Sequence, residues 1–503
     1  METTPSTTNS PEILRSERIA AGILPKVLNS FDMVAIFVAL VLLITNAPGI
    51  ASAGGVAYIY WALGFITFLI PGAIVTGQLG LMFPGEGSIY VWTHKAFGRF
   101  MGFFAGFCAW WPGIIAMISV SVGAVTSIQH LGSLFGANLL SDSWQQGLVI
   151  LCLLAVSLML SVLRFRVTQN IVNTVFVVYG GAVLLVGIAG LLWLLGGHPS
   201  QTNLASADTW QITFGGTGNF TIFGFVILAL LGIEVPLNMG VEIRDTRAIT
   251  RYLLWGAVVV IVAYLLATFS VMAVVPVKDQ ANTTAVAETI QVGFGPAGTI
   301  LAAIFDVILV GVFVLITTVY NYSFGRLLFV SGLDQQLPVV MSKVNANKVP
   351  WVAVVVQTII AAVFTVVIFI VGPLTVKVSN LSTLMYYITL ASTAVIWLLS
   401  MVILFIDVIF IRAKYQEVFA RIQLAPTWVF YVCAILGLVS SAVGIYATFT
   451  APWVPLISTT GWDAWIGSIV VVSLLVGVVV FLIGRRNVST SVSDEDVIAE
   501  AVS

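Results

Sequence analysis

The stretch of sequence that decides the fold is NSFDMVAIFVALVLLITNAPGIASA, residues 29–53. About 20 apolar residues in a helix cross the ~30 Å hydrocarbon core of a bilayer, and this stretch is long enough to do so. Asp32 is its single charged residue, and Pro48 and Gly49 interrupt its second half. The pattern predicts a membrane-spanning helix that is broken inside the membrane.

The composition of the whole chain extends this prediction. Of its 503 residues, 59% are apolar and only 8% are charged, whereas about 25% are charged in soluble domains. So few polar residues cannot cover a water-soluble core, which excludes a soluble enzyme, a nucleic-acid-binding protein and a disordered chain. The three cysteines and three histidines lack disulfide or metal-ligand spacing, so we predict no cofactor, metal or catalytic residue. The class that remains is an all-α polytopic membrane protein.

Long charge-free stretches predict twelve transmembrane helices. They lie at about 29–53, 56–82, 100–130, 145–163, 170–195, 218–241, 252–276, 296–325, 351–372, 379–410, 427–450 and 463–484. Eighteen of the twenty lysines and arginines then fall on one side, and only Lys278 and Lys377 fall on the other. Because loops rich in basic residues stay in the cytoplasm, we predict a multi-pass protein of the plasma membrane. Both of its termini, the tails 1–28 and 485–503, are expected to be cytoplasmic.

Predicted helices 1 and 6 share an unusual feature, a Gly/Pro interruption near mid-membrane. Helix 6 contains Gly232-Ile233-Glu234-Val235-Pro236. Matching interruptions of this kind mark the binding site of transporters that are built from inverted repeats. The two helices are the first members of two five-helix repeats, residues 29–195 and 218–410, which have opposite orientation because five is odd. Helices 11 and 12 occupy residues 427–484.

The two interruptions predict complementary halves of a binding site. Where helix 1 restarts near Gly49, the free amides of residues 50–52 and the positive end of the helix dipole favour a carboxylate. Where helix 6 stops near Leu230 and Leu231, free carbonyls favour an ammonium group. An α-amino acid carries both groups. The candidate substrate-binding residues are Thr45, Asn46, Ala47, Pro48, Gly49, Ile50, Ala51, Trp110, Phe225, Leu230, Leu231, Gly232, Ile233 and Glu234.

Two acidic residues, Glu234 and Asp306, lie deep in the predicted spans, where no lysine or arginine accompanies them. A lone carboxylate at that depth costs at least ~2.5–3.5 kcal/mol. Each must therefore be protonated, paired with a cation or exposed to water, and both are candidates for proton or ion coupling. Purely structural roles, in which the acids only form hydrogen bonds, are the alternative. Thr317 and Thr318 are either sodium ligands or bonded to their own helix.

Four further stretches carry motifs. Phe83–Trp92, followed by Ala96-Phe97-Gly98, is similar to Pro-x-Gly-Gly-x-Tyr, and Gly232-Ile233-Glu234 is similar to Gly-x-Glu. Glu242–Arg247 is similar to Glu-x-x-Asn-Pro-x-Arg, with Asp-Thr in place of Asn-Pro. The fourth stretch comprises Arg326, Gly332–Pro338 and Val349-Pro350. In combination they resemble the amino acid–polyamine–organocation superfamily, whose members include amino acid permeases. Pro48 at the helix 1 interruption is similar to the glutamate/GABA antiporter branch of that superfamily.

The resemblance implies a LeuT-like fold, with ten helices in two inverted repeats plus helices 11 and 12. It also implies transport of amino acids or related amines, by exchange or by proton coupling. By family, the substrate carboxylate and amine bind at the helix 1 interruption, and Glu234 sits at a proton-linked gate. Helix 5, residues 170–195, lacks the lysine that some proton-coupled members carry, so that mechanism does not transfer.

These observations together predict a secondary active transporter that works by alternating access within the lipid bilayer. Its partners are a small-molecule substrate, an amino acid or amine, and a coupling ion that is H⁺ or Na⁺. Because no basic residue lies deep in a span, neutral or cationic substrates are favoured over dianionic ones. A sodium-coupled organic-solute symporter of the same fold and a channel remain as alternatives.

Overall fold

The computed structural model describes residues 12–215, 218–375, 381–454, 456–487 and 494–502. We number its helices in chain order. They are α1 Arg15–Ile23, α2 Ser30–Val41, α3 Ala47–Ala51, α4 Val56–Met82, α5 Ser88–Phe97, α6 Arg99–Leu134, α7 Ser143–Val162, α8 Phe165–Leu195, α9 Thr221–Ala229, α10 Arg247–Val274, α11 Ala285–Gly293, α12 Gly298–Leu333, α13 Trp351–Leu374, α14 Leu381–Lys414, α15 Gln416–Arg421, α16 Thr427–Thr448, α17 Thr459–Asn487 and α18 Asp494–Val502.

Eleven segments in the described ranges are long and apolar enough to cross a membrane, and they agree with eleven of the predicted spans. The segment predicted as helix 6, residues 218–241, is different. It consists of α9, which ends at Ala229, followed by short 3₁₀ turns at Val235–Asn238 and Gly240–Glu242. The protein is therefore a polytopic helical membrane protein, and the twelve-helix count and the inverted repeat stay predictions.

The interruption of helix 1 lies earlier in the chain than the sequence suggested. Helix α2 ends at Val41, residues 42–43 are extended, and the chain resumes as a 3₁₀ turn at Ile44–Asn46 before α3. Pro48 falls in the first turn of α3, where proline is tolerated because its missing N–H would have had no helical partner. The proline therefore starts the second half of the helix and does not cause the interruption.

Several basic residues in the described ranges lie near helix ends on one side of the bundle. We call this end the basic face and define it by Lys95, Arg99, Arg166, Arg326 and Lys414. Some of these side chains bond backbone carbonyls far away in the chain, as in the 2.7 Å bond from Lys414 Nζ to the Lys95 carbonyl. Arg166 likewise donates to the carbonyl of residue 27 at 3.2 Å. The segments between α8 and α9 and between α10 and α12 lie at the opposite face, where the Gln280 amide donates to Thr202.

The two terminal helices cover part of the basic face. In α1, Glu17 forms an ion pair with Lys95 at 2.7 Å, and the Ser16 hydroxyl donates to Asp334 at 2.9 Å. In α18, Asp494 receives an ion pair from Arg15 at 2.8 Å. The chain is consequently closed at this end by short helices that lie outside the spanning segments.

Candidate functional site

Three tyrosines hold the interruption of helix 1 in place. They are Tyr179 on α8, Tyr264 on α10 and Tyr320 on α12, and all three are buried. Their hydroxyls donate to the carbonyls of Leu42, Val41 and Leu40 and accept from the amides of Ile44 and Leu43, at 2.8–3.1 Å. Backbone groups that leave a helix inside a membrane must find partners within the protein, and here tyrosine hydroxyls supply them.

This arrangement corrects the predicted carboxylate site. The sequence predicts free amides at residues 50–52, but the amide of Ser52 donates to the Pro48 carbonyl at 3.1 Å at the end of α3. Helix 1 restarts at Ile44, one to two turns earlier, and the amides exposed by that restart are bonded to the tyrosines. The part of the predicted site that reaches open space is the 3₁₀ turn with Thr45 and Asn46.

A cavity of about 350 Å³ begins at this turn. Its walls come from the helix 1 interruption, α6, α9, α13 and α14, with single residues from the first turn of α7 and from the segment before α11. The lining residues are Leu43, Thr45, Asn46, Ser119, Val122, Gly123, Val125, Thr126, Gln129, Gln146, Phe225, Thr283, Phe369, Tyr386, Tyr387 and Leu390. Because Gln129, Gln146 and Thr283 lie away from the basic face, the cavity opens towards the opposite face.

A narrower space of about 60 Å³ continues the cavity towards the middle of the bundle. The two spaces share lining residues, among them Asn46, Ser119 and Tyr386. The inner space is bounded by Leu231 at the end of helix 6 and by Trp397 on α14. The helix 1 interruption therefore borders both spaces, and the end of helix 6 borders the inner one.

Glu234 lies behind the inner space. Its carboxylate is buried, and its Oε1 accepts a 2.9 Å hydrogen bond from the indole N–H of Trp397. No hydrogen-bond donor among the described residues reaches its Oε2. Gly232, two residues earlier, has φ +107°, a left-handed conformation that glycine adopts without strain. Trp397 thus lies between the inner space and a carboxyl group that has a hydrogen-bond partner at only one of its two oxygens.

The predicted substrate-binding residues divide into two groups. Thr45, Asn46 and Phe225 line the outer cavity, and Leu231 lines the inner one. The others line neither space, and they are Ala47, Pro48, Gly49, Ile50, Ala51, Trp110, Leu230, Gly232, Ile233 and Glu234. Gly49 supports the site indirectly, since a Cβ there would lie 2.9 Å from the Phe225 ring.

Trp110, a predicted substrate-binding residue, lines neither the outer nor the inner space. Its indole N–H donates to Gln357 Oε1 at 2.9 Å, and its ring borders a separate apolar cavity of about 250 Å³ between α6, α12 and α17. The bond to Gln357 joins α6 to α13. Tryptophan in a long helix is usually a packing residue, and these contacts fit such a role for Trp110.

Asp306 has a partner that the sequence analysis missed. Its Oδ2 lies 2.7 Å from Nδ1 of His130 on α6, and both side chains are buried. Thr317 and Thr318 donate to the carbonyls of Phe313 and Val314 in their own helix, both at 2.8 Å. Asp306 is consequently a paired acid that does not line the cavity, and the two threonines have the structural bonding pattern.

The wall of the outer cavity combines apolar side chains with uncharged polar ones, and none of its described lining residues is charged. Hydroxyl and amide groups from Asn46, Ser119, Thr126, Gln129 and Tyr386 both donate and accept hydrogen bonds. Such a surface suits a solute with donors and acceptors and little net charge. It offers no nucleophile–base pair, and no group of three or more metal-ligating residues occurs in the described ranges.

Several of these residues could have been found from sequence. Tyrosines inside apolar helices, such as Tyr179, Tyr264 and Tyr386, are a signal because a buried hydroxyl needs a partner. Ser119 and Trp397 carry no such signal. Serine is common at helix contacts in membranes, and tryptophan is common in large apolar cores.

The sequence profile of the amino acid permease family matches residues 28–475. This range contains every segment that forms the interruptions and the cavity, so the chain belongs to the amino acid permease family. Its relatives are transporters of the amino acid–polyamine–organocation group, which confirms the resemblance that the motifs indicated.

Individual relatives are distant. An uncharacterized transporter of Legionella pneumophila is 26% identical over 68% of this chain and 73% of its own length. A probable agmatine/putrescine antiporter of Lactococcus lactis is 24% identical over 67% and 71% of the two chains. A glutamate/gamma-aminobutyrate antiporter of the same species is 25% identical over 78% and 77%. All three are transporters, and the two with stated substrates differ in the charge of those substrates.

Proposed function

We propose that the protein is a secondary active transporter that moves amino acids or related amines across the plasma membrane by alternating access. The observation that carries the proposal is the uncharged polar cavity of about 350 Å³. It starts at the helix 1 interruption, and its outermost lining residues, Gln129, Gln146 and Thr283, lie away from the basic face. We assign the basic face, and with it both termini, to the cytoplasm, because basic loops are retained there.

We propose a zwitterionic amino acid as the preferred substrate. An anionic side chain would need a basic partner, and a second ammonium would need an acidic one, since an unpaired charge is costly in such a site. The described lining residues include neither. Hydroxyls and amides at Asn46, Ser119 and Tyr386 are suited to an α-carboxylate and ammonium that neutralise each other.

The proposed role of Glu234 is to receive the coupling proton or to organise the substrate ammonium. Trp397 stands between this carboxyl group and the inner space, so a rotation of the indole would connect the two. Asp306 is the second candidate for coupling, and its pairing with His130 supports a structural contribution as well. Because Thr317 and Thr318 bond their own helix, they lend no support to sodium coupling.

Substrate-driven counterflow tests the proposal. Liposomes that contain the full-length protein are preloaded with alanine, γ-aminobutyrate, glutamate, agmatine or putrescine, and uptake of each labelled compound is followed with and without sodium. We expect saturable uptake of the zwitterions and at least tenfold weaker competition by glutamate and putrescine. Uptake that does not saturate would indicate a channel, and uptake that requires a sodium gradient would indicate the sodium-coupled alternative.

The same liposomes test the role of Glu234. Glu234→Gln keeps the acceptor for Trp397 and removes the titrating group, so we expect slower transport whose rate no longer changes when the external pH is varied at constant internal pH. Glu417→Gln, at an exposed position on α15, is the matched control and should behave like the wild type. An unchanged rate and pH dependence in Glu234→Gln would refute the assigned role.

A further inference from the structure

A second group of charged side chains is buried at the closure of the basic face. Glu86 lies in the turn between α4 and α5, Glu242 in the 3₁₀ turn after helix 6, and Arg326 on α12. Their side chains are inaccessible to solvent, with 0% exposure for each member of the Arg326–Glu86 and Arg326–Glu242 pairs. The transport proposal above assigns no role to this cluster.

The contacts within the cluster are unequal. Arg326 donates from Nη2 and Nε to Glu242 Oε1 at 2.7 and 3.1 Å. The same Nε lies 3.6 Å from Glu86 Oε1. Glu86 Oε2 accepts the amide of Val241 at 3.2 Å, and the guanidinium lies over the ring of Phe165, 4.9 Å from its centroid. Arg326 therefore neutralises Glu242, whereas its interaction with the Glu86 carboxyl group is weaker because the two groups are farther apart.

The charges do not balance without an additional proton. Two carboxylates and one guanidinium leave one negative charge in a space closed to water, which is strongly unfavourable. Glu86 Oε1 and Glu242 Oε2 have no hydrogen-bond donor among the described residues. Ionised carboxylates only accept hydrogen bonds, so a proton on one of the two acids would supply a donor as well as remove the excess charge. Burial raises the pKa of Glu86 well above its ordinary value, and the negative charge of Glu242 raises it further.

No other described charge compensates the pair. On the neighbouring elements, Arg166 is bound to Asp32 at 2.6 Å, and Lys95 is bound to Glu17 at 2.7 Å. Arg326 is the one cation of the described chain within 4.0 Å of either acid in the cluster. A proton is thus the remaining way to neutralise the site.

The cluster is part of the closure itself. Next to Glu86, the amide of Gly87 donates to the Asn238 carbonyl at 3.0 Å, and the Ser88 hydroxyl donates to the Asn238 side chain at 2.6 Å. These bonds join the α4–α5 turn to the segment after helix 6. Opening a path to the basic face through this junction has to separate Glu86 from Glu242 and admit water.

We propose that the Glu86–Glu242 pair binds one proton from the cytoplasm whenever the transporter is closed on that side, so that an acidic cytoplasm keeps it closed. The proposal rests on the transport function and orientation proposed above. The proton enters and leaves on the same side of the membrane. It therefore sets the balance between closed and open states and is not itself carried across the membrane.

The direction of the pH effect follows from the two environments of Glu86. In the closed state its pKa is raised, and in the open state a solvated glutamate has a pKa of about 4.3. The closed state therefore binds more protons and is favoured at low pH. As the pH rises through the closed-state pKa, this advantage is lost and opening becomes easier. One linked proton changes the ratio of the two states by up to about tenfold per pH unit.

The first test measures exchange in liposomes while the internal pH is varied from 5.5 to 8.5 at constant external pH. In oriented proteoliposomes, we expect the wild-type rate to rise at least fivefold over this range. Glu86→Gln is neutral at every pH and retains an acceptor for the Val241 amide, so its rate should change less than twofold. Glu417→Gln on the same face should retain the wild-type response. A Glu86→Gln variant with the full wild-type response would overturn the proposal.

A second test does not depend on transport. In purified protein that carries Cys152→Ser, alkylation of the thiol introduced by Val241→Cys reports opening, since that side chain is only 8% exposed when closed. The thiol introduced by Glu417→Cys corrects for the pH dependence of thiol reactivity. We expect the corrected rate to rise at least fivefold from pH 5.5 to 8.5, and to become independent of pH when Glu86→Gln is added.

The two tests separate the proposals. A pH-dependent alkylation rate in a protein that exchanges none of the five compounds would support the proton site and contradict the substrate assignment. Saturable exchange with a corrected alkylation rate that is independent of pH in the wild-type cluster would overturn the proton site and leave the transport function intact. That wild-type measurement decides the question even if Glu86→Gln does not fold.

Discussion

At the scale of single residues, the end of helix 6 depends on one backbone conformation. Gly232 has φ +107°, and a Cβ at this position would meet its nearest neighbours at 3.7 Å, an ordinary contact distance. Space is therefore sufficient, and the requirement for glycine comes from the backbone. The residue allows the chain to leave the helix and to direct Glu234 towards Trp397.

We expect Gly232→Ala to destabilise the protein by about 1–3 kcal/mol, the typical cost of forcing a side chain into such a conformation. The matched control is Gly311→Ala on α12, where the added Cβ meets no atom within 4 Å and alanine favours the helix by up to about 1 kcal/mol. Thermal unfolding in detergent measures both variants. Equal midpoints would show that the left-handed conformation is not required.

The His130–Asp306 pair defines a second property at this scale. Removing one partner leaves the other buried without its hydrogen bond. The destabilisations caused by the single variants His130→Ala and Asp306→Ala should therefore add up to more than that of the double variant. We expect a coupling free energy of about 0.5–3 kcal/mol in a double-mutant cycle measured by unfolding in mixed micelles.

The ion pair between Lys278 and Asp279 is the control for that cycle. It spans 4.0 Å, and the Lys278 side chain is 84% exposed, so its coupling should be at most about 1 kcal/mol. Additive effects of the His130 and Asp306 variants would mean that the two side chains do not stabilise each other.

At the scale of elements, helix 1 keeps its interruption through side chains of three other helices. Each tyrosine hydroxyl satisfies backbone groups that α2 and the following 3₁₀ turn cannot satisfy themselves. This differs from a helix broken by proline alone, because the position of the break is determined by α8, α10 and α12. The amides of Leu43 and Ile44 are therefore already bonded, and Thr45 and Asn46 beside them line the cavity.

We expect Tyr264→Phe to destabilise the protein by about 1–3 kcal/mol, since it leaves the Leu43 amide and the Val41 carbonyl without their partner. The displaced turn should also weaken substrate binding, seen as a higher half-saturation concentration in counterflow. Tyr446→Phe is the control, because Tyr446 is 65% exposed on α16. A Tyr264→Phe variant that matches Tyr446→Phe in stability and transport would contradict this account of the interruption.

At the scale of the whole molecule, the cavity opens at one face and buried contacts close the other. The proposed orientation then predicts which positions a reagent outside the cell can reach. In the Cys152→Ser background, the thiol introduced by Thr126→Cys in the outer cavity should react with a membrane-impermeant maleimide in intact cells. Substrate at saturating concentration should slow this reaction at least fivefold.

Glu417→Cys, on the basic face, is the control for sidedness. It should react only after the cells are opened. Labelling of Glu417→Cys in intact cells, together with protection of Thr126→Cys until lysis, would reverse the assigned orientation while leaving the fold unchanged.

The predicted spans agree with the structure for eleven segments because hydropathy is a local property. Each helix that crosses a bilayer must be apolar along its own length, whatever its neighbours are. The end of helix 6 at Ala229 and Leu230 was also predictable, since Gly232 and Pro236 disfavour a continuous helix. The interruption of helix 1 was placed wrongly, because proline was taken as its cause.

What the sequence determined by itself is the class of the protein, its spans, the basic asymmetry and the need of buried acids for a proton or a partner. Only the tertiary structure decided which partners those acids have. Glu234 meets Trp397 163 residues away in the chain, and Asp306 meets His130 across 176 residues. Such pairs form when different helices pack against each other. Hydropathy reflects the composition of one helix at a time, so it cannot indicate which residues of two helices will meet.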